Sequence, residues 1–223
     1  GCIVNDIVDK NFDKKVERTK NRPIASGKIT TKLAIIYSII LCLLAFFVLL
    51  NFNFLTVLLA IASMPFAFTY PLMKRYTYWP QLFLGFTFNY GLLLGWTAIN
   101  ESLSLIPIIF YFGAIFWTLG YDTIYGFQDI EDDEIIGVKS TSIKFKQNPK
   151  IFLSICYLIF TLLFIIIGIK LNFNYYFFMG AMAVIFHLSI IQIMNFDKEK
   201  KEKCLKIFKS NNFLGLIILI CIL

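Results

Sequence analysis

Residues Ile151 to Ile169, IFLSICYLIFTLLFIIIGI, form an apolar run without a single charged side chain. At about 1.5 Å per residue, a helix of this length spans the ~30 Å hydrocarbon core of a bilayer, whereas a buried strand or core helix needs fewer such residues. The pattern repeats on both sides of the run. Upstream lie Leu33 to Leu50, Phe54 to Tyr70, Leu82 to Ile99 and Leu103 to Gly120; downstream lie Tyr175 to Met194 and Phe213 to Leu223. The last reads as the start of a seventh span that the chain end cuts off. Ten-residue alternating segments of the barrel type are absent, and in hydrocarbon each backbone N–H and C=O needs an internal partner. The fold class expected is therefore all-α, a polytopic transmembrane helical bundle.

Composition agrees. Hydrophobic residues make up 58% of the 223 and charged residues 16%, against about 45–50% and about 25% in soluble domains. The five cysteines, Cys2, Cys42, Cys156, Cys204 and Cys221, show no CxxC or Cys/His spacing and read as small apolar residues. The sequence opens on Gly1 and stops inside an apolar run, so it reads as a fragment, and no signal peptide can be recognised.

Charge gives orientation. Twenty of the 21 basic residues fall in segments 1 to 32, 71 to 81, 121 to 150 and 195 to 212, which alternate topologically and so share one side. Lys and Arg near span ends are retained in the cytoplasm, or in the matrix for a mitochondrial protein. The Lys-rich stretch Asp197 to Lys209 reads as a solvated loop facing lipid headgroups.

Thirteen of the 14 acidic residues share that side, and two groups of them have helical spacing. Asp6, Asp9 and Asp13 stand at i, i+3 and i+7, within one face at about 100° per residue, with Asn5 at its edge. Asp122, Tyr125, Asp129 and Asp133 stand at i, i+3, i+7 and i+11. Carboxylates stacked on one face at a membrane boundary repel, so they need a cationic partner. Hard oxygen donors suit Mg²⁺, which takes one or two protein carboxylates and fills its shell with water and phosphate oxygens. Two such clusters can hold ions on one diphosphate, with Arg18, Lys20, Arg22 and Lys139 on the remaining phosphate oxygens. The alternative is that these carboxylates pair with Lys10, Lys14, Lys15 and Arg18 in a solvated loop.

The motifs resemble those of the UbiA superfamily of intramembrane prenyltransferases. The first reads NDxxDxxxD over Asn5, Asp6, Asp9 and Asp13 and continues as Arg18-Thr19, Arg22-Pro23 and Ala25-Ser26-Gly27. The second reads YDTIYGFQDIEDDEIIGVKST from Tyr121 to Thr141, and YPLMKRYT from Tyr70 to Thr77 stands between them. Within the superfamily, these stretches most resemble members that prenylate 4-hydroxybenzoate in ubiquinone biosynthesis. The resemblance implies nine transmembrane helices with the first Asp motif after the second helix. The seven spans would then be the third to ninth of a single domain covering 1–223 and shortened at both ends.

It also implies an electrophilic aromatic substitution. Mg²⁺ on the Asp motifs binds an allylic polyprenyl diphosphate, and the prenyl cation attacks the ring carbon ortho to the phenol of 4-hydroxybenzoate. The residues implied are Asn5, Asp6, Asp9 and Asp13 for the first metal cluster, and Asp122, Asp129 and Asp133, with Asp132 as the alternative to Asp133, for the second. Asp6, Asp9, Asp129, Asp133 and Tyr125 carry catalysis, Tyr125 by orienting the diphosphate or the phenol. Arg75 is expected at the acceptor carboxylate, since guanidinium binds carboxylate through two parallel hydrogen bonds. Lys74 is its rival, and positive-inside anchoring explains both equally well. Arg22 and Lys139 are expected on the diphosphate. The lipid bilayer is the remaining partner, as bacterial plasma membrane or mitochondrial inner membrane with the site facing cytoplasm or matrix; neither nucleic acid nor a protein partner is implied.

Other readings stay open here. Another enzyme of the same superfamily would share the Asp clusters and differ in acceptor, taking homogentisate, dihydroxynaphthoate or haem. A cation transporter should carry acidic residues near the bilayer midplane, and each carboxylate here lies at a span end or in a loop. His187, alone in mid-span, reads as a packed histidine bonded to a neighbouring helix.

Overall fold

The computed structural model describes residues 2–17 and 19–223 and is helical throughout, with no strand among the described residues. Helix α1 (Cys2–Asp13) carries the first acidic motif. Spanning helices α2 (Thr31–Leu49) and α3 (Phe54–Tyr76) follow, then the pair α4 (Pro80–Phe88) and α5 (Gly91–Asn100), and α6 (Leu105–Gly126). Short helices α7 (Ile130–Ile136) and α8 (Thr141–Lys144) lead into α9 (Pro149–Lys170), α10 (Tyr175–Phe186) with a π-helical continuation (His187–Met194), and α11 (Lys201–Ile222). Seven of these segments are long and apolar enough to cross a membrane, and the chain is a multi-pass membrane protein.

Helix starts follow local chemistry. Thr30 caps α2 by accepting from the Leu33 N–H at 3.3 Å, and Asn53 caps α3 by accepting from the Thr56 N–H at 3.0 Å. Six of the expected spans lie on these helices. The third is interrupted at Asn89–Tyr90, where the Asn89 amide donates to the Gly85 carbonyl, the Ala114 carbonyl and the Thr118 hydroxyl.

The seventh expectation is corrected. The apolar run from Phe213 is the second half of a 22-residue helix that begins at Lys201. The lysines of its first turns hide the span in the sequence, yet Cys204, Ile207, Leu214 and Ile218 lie on its buried face. Lys201, Lys206 and Lys209 stay exposed, which long aliphatic stems allow at a membrane boundary.

Lipid tails are as apolar as leucine, so helices associate through close packing and interhelical hydrogen bonds. The core follows α6 against α9, where Trp117 stacks on Phe160 at 5.4 Å between ring centroids and a Cβ on Gly120 would run into the Tyr157 ring. Fully buried Gln192, on the π-helical run, accepts from the Tyr157 hydroxyl at 3.1 Å and donates to the Ile207 carbonyl and the Ser210 hydroxyl. His187 is buried as expected; among the described residues its ring nitrogens make no hydrogen bond of good geometry, the Ser210 backbone of α11 being the nearest polar contact. Helix α2 is the opposite case, an apolar cylinder on which only Ala34 is buried, as suits a helix facing lipid. The cysteines are free, with Cys156 and Cys204 buried in the bundle.

Candidate active site

The loops at one end of the bundle enclose a cavity of about 290 Å³. From α1 and the loop after it come Asn5, Asp9, Phe12, Asp13, Thr19 and Arg22; from the end of α3 and the segment after it come Tyr70, Pro71, Lys74 and Gln81; from the third basic segment come Asp122, Tyr125, Asp129, Asp133, Lys139 and Ser140. Both acidic motifs thus line one space.

The first motif sits on one continuous helix, as its spacing predicts. Asp9 and Asp13 are its buried residues, at 2% and 5% exposure. Each carboxylate meets a cation from outside α1: Lys74 Nζ lies 2.6 Å from Asp9 Oδ2, and Arg22 Nη1 lies 3.1 Å from both Asp6 Oδ1 and Asp13 Oδ2. Of the loop partners considered as the alternative, Lys10 donates instead to Thr31, and Arg18 lies outside the described residues. Asp9 Oδ1 is buried with no hydrogen-bond partner among the described residues. Burial pushes the Asp9 carboxyl above its ordinary range, an effect that Lys74 opposes, that the neighbouring Asp13 charge reinforces and that Arg75 weakly opposes.

The second motif is not one helix. Helix α6 ends at Gly126, and the Phe127 and Gln128 N–H groups bond back to the Ile124 and Tyr125 carbonyls in tightened turns. Phe127 is buried against Phe196 at 5.2 Å. Asp129 then precedes α7. Gly137, in the left-handed region at φ 76°, stops α7, with the Val138 N–H reaching the Asp133 carbonyl at 3.1 Å. The chain turns back so that the Lys139 N–H donates to the Lys74 carbonyl at 2.7 Å. Asp122, Tyr125, Asp129 and Asp133 still share the cavity, but through this turn rather than through helical period. Asp133 lines it and Asp132 does not.

Among the basic residues, Lys74 and Arg22 stand in the cavity on the first motif's carboxylates, and Lys139 stands at its edge, donating to the Tyr76 carbonyl at 3.2 Å. Arg75 is placed elsewhere. Its guanidinium donates to the Val8 carbonyl at 2.7 Å and lies 5.1 Å over the Phe12 ring, exposed and outside the cavity lining. As the next residue after Lys74 on one helix, it points about 100° away from it. Asp6 is also absent from the lining and pairs with Arg22, which lines it. Arg18 lies outside the described residues, and Lys20 pairs with Glu17 at 2.5 Å.

Sequence reasoning missed Gln81, Tyr70, Thr19 and Ser140 as site residues. The available signal was weak: Gln81 is one polar residue at the opening of a mostly apolar span. Its Oε1 accepts from the Thr141 N–H at 2.9 Å. Behind it Thr141 and Thr123 share a hydroxyl hydrogen bond at 2.7 Å, and Ser142 donates to the Thr123 carbonyl at 2.7 Å.

The donor set fits Mg²⁺. It is rich in hard oxygen donors, five carboxylates and the Asn5 amide among them, and among the described residues one carboxylate oxygen of Asp9 is buried without a partner. Among the described residues no three acidic, histidine or cysteine side chains converge enough to hold an ion alone. Mg²⁺ needs only one or two carboxylates when substrate phosphate supplies other ligands.

Residues 1–217 match the family model described as the UbiA prenyltransferase family. Over 219 residues the chain is 42% identical to the mitochondrial 4-hydroxybenzoate polyprenyltransferase of Rattus norvegicus, covering 98% of this chain and 58% of that one. The mitochondrial 4-hydroxybenzoate polyprenyltransferase of Homo sapiens is 43% identical over 221 residues, covering 98% and 59%. The 4-hydroxybenzoate octaprenyltransferase of Psychromonas ingrahamii is 39% identical over 218 residues, covering 98% and 76%. The chain therefore spans less than two thirds of the length of the mitochondrial relatives. In fold, it is similar to the solved apo structure of a UbiA homolog from Aeropyrum pernix K1, at TM-score 0.83 and 22% identity, covering all of this chain and 84% of that one.

Proposed function

The chain belongs to the UbiA prenyltransferase family, and from that premise we propose that its protein transfers a polyprenyl group from an allylic polyprenyl diphosphate to position 3 of 4-hydroxybenzoate, in ubiquinone biosynthesis. The observation that carries the reading is the convergence of both acidic motifs, with Lys74, Arg22 and Lys139, on one cavity. The acceptor follows from the names of the curated relatives.

Family members are generally metal-dependent, and here Asn5, Asp9, Asp13, Asp122, Asp129 and Asp133 would hold Mg²⁺. Bound there, the metal supplies Lewis-acid stabilisation of the leaving diphosphate. The protein's own part begins with charge exchange. Lys74 and Arg22 neutralise Asp9, Asp6 and Asp13 before substrate arrives, since an unpaired buried carboxylate is costly. When diphosphate enters, these cations turn to its oxygens together with Lys139, forming charge-assisted hydrogen bonds. The allylic C–O bond breaks, the prenyl carbon bonds to the ring carbon ortho to the phenol, and a ring proton leaves to restore aromaticity. Tyr125, whose ring rests 4.4 Å from Phe208 at the cavity edge, orients the substrates. Prenyl chain and product both partition into lipid, which suits a site at one end of a membrane bundle in a bacterial plasma membrane or mitochondrial inner membrane, facing cytoplasm or matrix. The described chain acts as one domain in this reading.

The test is prenyl transfer by membranes carrying the full-length protein, given ring-labelled 4-hydroxybenzoate and an allylic diphosphate, with Mg²⁺ or excess EDTA. Labelled lipid-soluble product with Mg²⁺ alone is expected. Product only with homogentisate or dihydroxynaphthoate would move the acceptor, and no transfer with any acceptor by well-inserted protein would overturn the reading.

A further inference from the structure

We propose that Gln81 is the specificity-determining residue for the aromatic acceptor, donating from its side-chain amide to the acceptor's carboxylate. The proposal rests on the prenyltransferase reading above and assigns a residue that the acidic motifs do not contain.

Gln81 is 7% exposed, yet it lines the cavity beside Asp122, Tyr125 and Ser140. The two ends of its amide have different fates. The Thr141 backbone N–H can only donate, so the amide atom 2.9 Å from it is the oxygen. That leaves Nε2, with two N–H donors, on the other side, where a Cβ on Gly126 would stand 3.6 Å away. Of the polar side-chain atoms of Gln81, only Oε1 makes a hydrogen bond among the described residues, and both Gln81 and Gly126 line the cavity. Buried donors are nearly always paired. A fixed donor opening on a substrate cavity pairs with water until a substrate oxygen replaces it.

The donor is also held rigidly. Thr141, which anchors the Gln81 oxygen, is fully buried and tied to Thr123 of α6, and Ser142 ties to the same turn. Gln81 can thus present its N–H groups without ordering cost when substrate binds.

Chemistry selects the acceptor over the diphosphate as ligand. Lys74, Arg22 and Lys139 are cations suited to phosphate, whereas Gln81 is neutral. Arg75, the guanidinium expected on the acceptor carboxylate, is engaged with the Val8 carbonyl outside the cavity. Of the acceptor's oxygens, the phenol must feed electron density to the ring carbon that forms the new bond, and an N–H donor there would withdraw it. A carboxylate gains a charge-assisted bond with no such penalty.

The experiment uses the full-length protein with Gln81→Glu and Gln81→Met. Gln81→Glu keeps an oxygen for the Thr141 N–H while removing the donors and setting a like charge against the acceptor. Gln81→Met removes both functions at similar length. The expected result is a KM for 4-hydroxybenzoate raised about tenfold or more in both variants, with the larger rise in Gln81→Glu. The KM for the allylic diphosphate stays within about twofold of wild type. If Gln81→Met does not accumulate in membranes, Gln81→Glu decides. Complete loss of transfer in Gln81→Glu supports the proposal if Mg²⁺-dependent diphosphate binding survives, and overturns it if that binding is lost too. An unchanged acceptor KM in Gln81→Glu, or an equal rise in both KM values, also overturns it. Failure of the wild type to use 4-hydroxybenzoate would instead remove the prenyltransferase reading, so the two failures are distinguishable.

Discussion

The two acidic walls of the cavity share a spacing in sequence and differ in construction. The first is a single helix, Cys2–Asp13, whose carboxylates are neutralised by Lys74 and Arg22 from outside it. The second is a helix end, a tightened turn and the short helix Ile130–Ile136, stopped by Gly137. Helical period explains how the first wall gathers its oxygens. In the second, the turn at Gly126–Gln128 and the buried Phe127 do that work, and the same residues reach the cavity by another route. Equal spacing is thus evidence for a shared site without being evidence for a shared backbone.

If the two walls act on one substrate, losing either should cost about the same. Asp9→Ala and Asp129→Ala are each expected to lower prenyl transfer at least about 10²-fold, the scale of removing one preorganised electrostatic contact at a reacting group. Membrane insertion should be intact in both, checked by extraction and a thermal melt in detergent. Wild-type rates in either variant would break the comparison.

A smaller effect separates the walls by their counter-ions. Lys74→Met leaves the buried Asp9 carboxylate without its partner, and because Lys74 is partly exposed the expected loss of stability is about 1–3 kcal/mol. Adding Asp9→Asn should recover most of it, which a double-mutant cycle of melting temperatures would reveal.

The third prediction concerns pH and the metal-free protein. Asp9 is raised above its ordinary value of 3.8, so the folded state holds its proton more tightly than the unfolded state does. Ionised Asp9 therefore costs stability, fully above its folded pKa, and the cost disappears as pH falls below 3.8. Asp9→Asn alone should melt higher than wild type at neutral pH, and the gap should close on acidification through that window, while activity is lost throughout. An equal gap at both pH values would remove burial as the cause of the shift.

Smallest is His187→Ala. The ring is buried, makes no hydrogen bond of good geometry among the described residues and belongs to neither wall, so transfer should stay within about twofold of wild type in the same assay.

The sequence was most legible where one physical term dominates. Six spans follow from apolar length alone, because hydrocarbon admits little else. The seventh was obscured by Lys201, Lys203, Lys206 and Lys209, which lower local hydropathy although Cys204, Ile207, Leu214 and Ile218 keep the helical period. The acidic residues were legible as a set through their charge and spacing. Which basic residue faces the cavity was not, because Lys74 and Arg75 are adjacent and only the helix's rotation against α1 separates them. Gln81 was hidden for a different reason: its role depends on a backbone N–H sixty residues away, and no local pattern carries that information.

The most direct test of the shared site is Mg²⁺-dependent binding of geranyl diphosphate to the purified full-length protein, measured for wild type, Asp9→Ala, Asp129→Ala and the double variant. Binding through both walls at once predicts that each single variant loses nearly all of the Mg²⁺-dependent affinity and that the double variant is no worse. Losses that multiply in the double variant would show two independent cation sites and contradict a single diphosphate held between the walls.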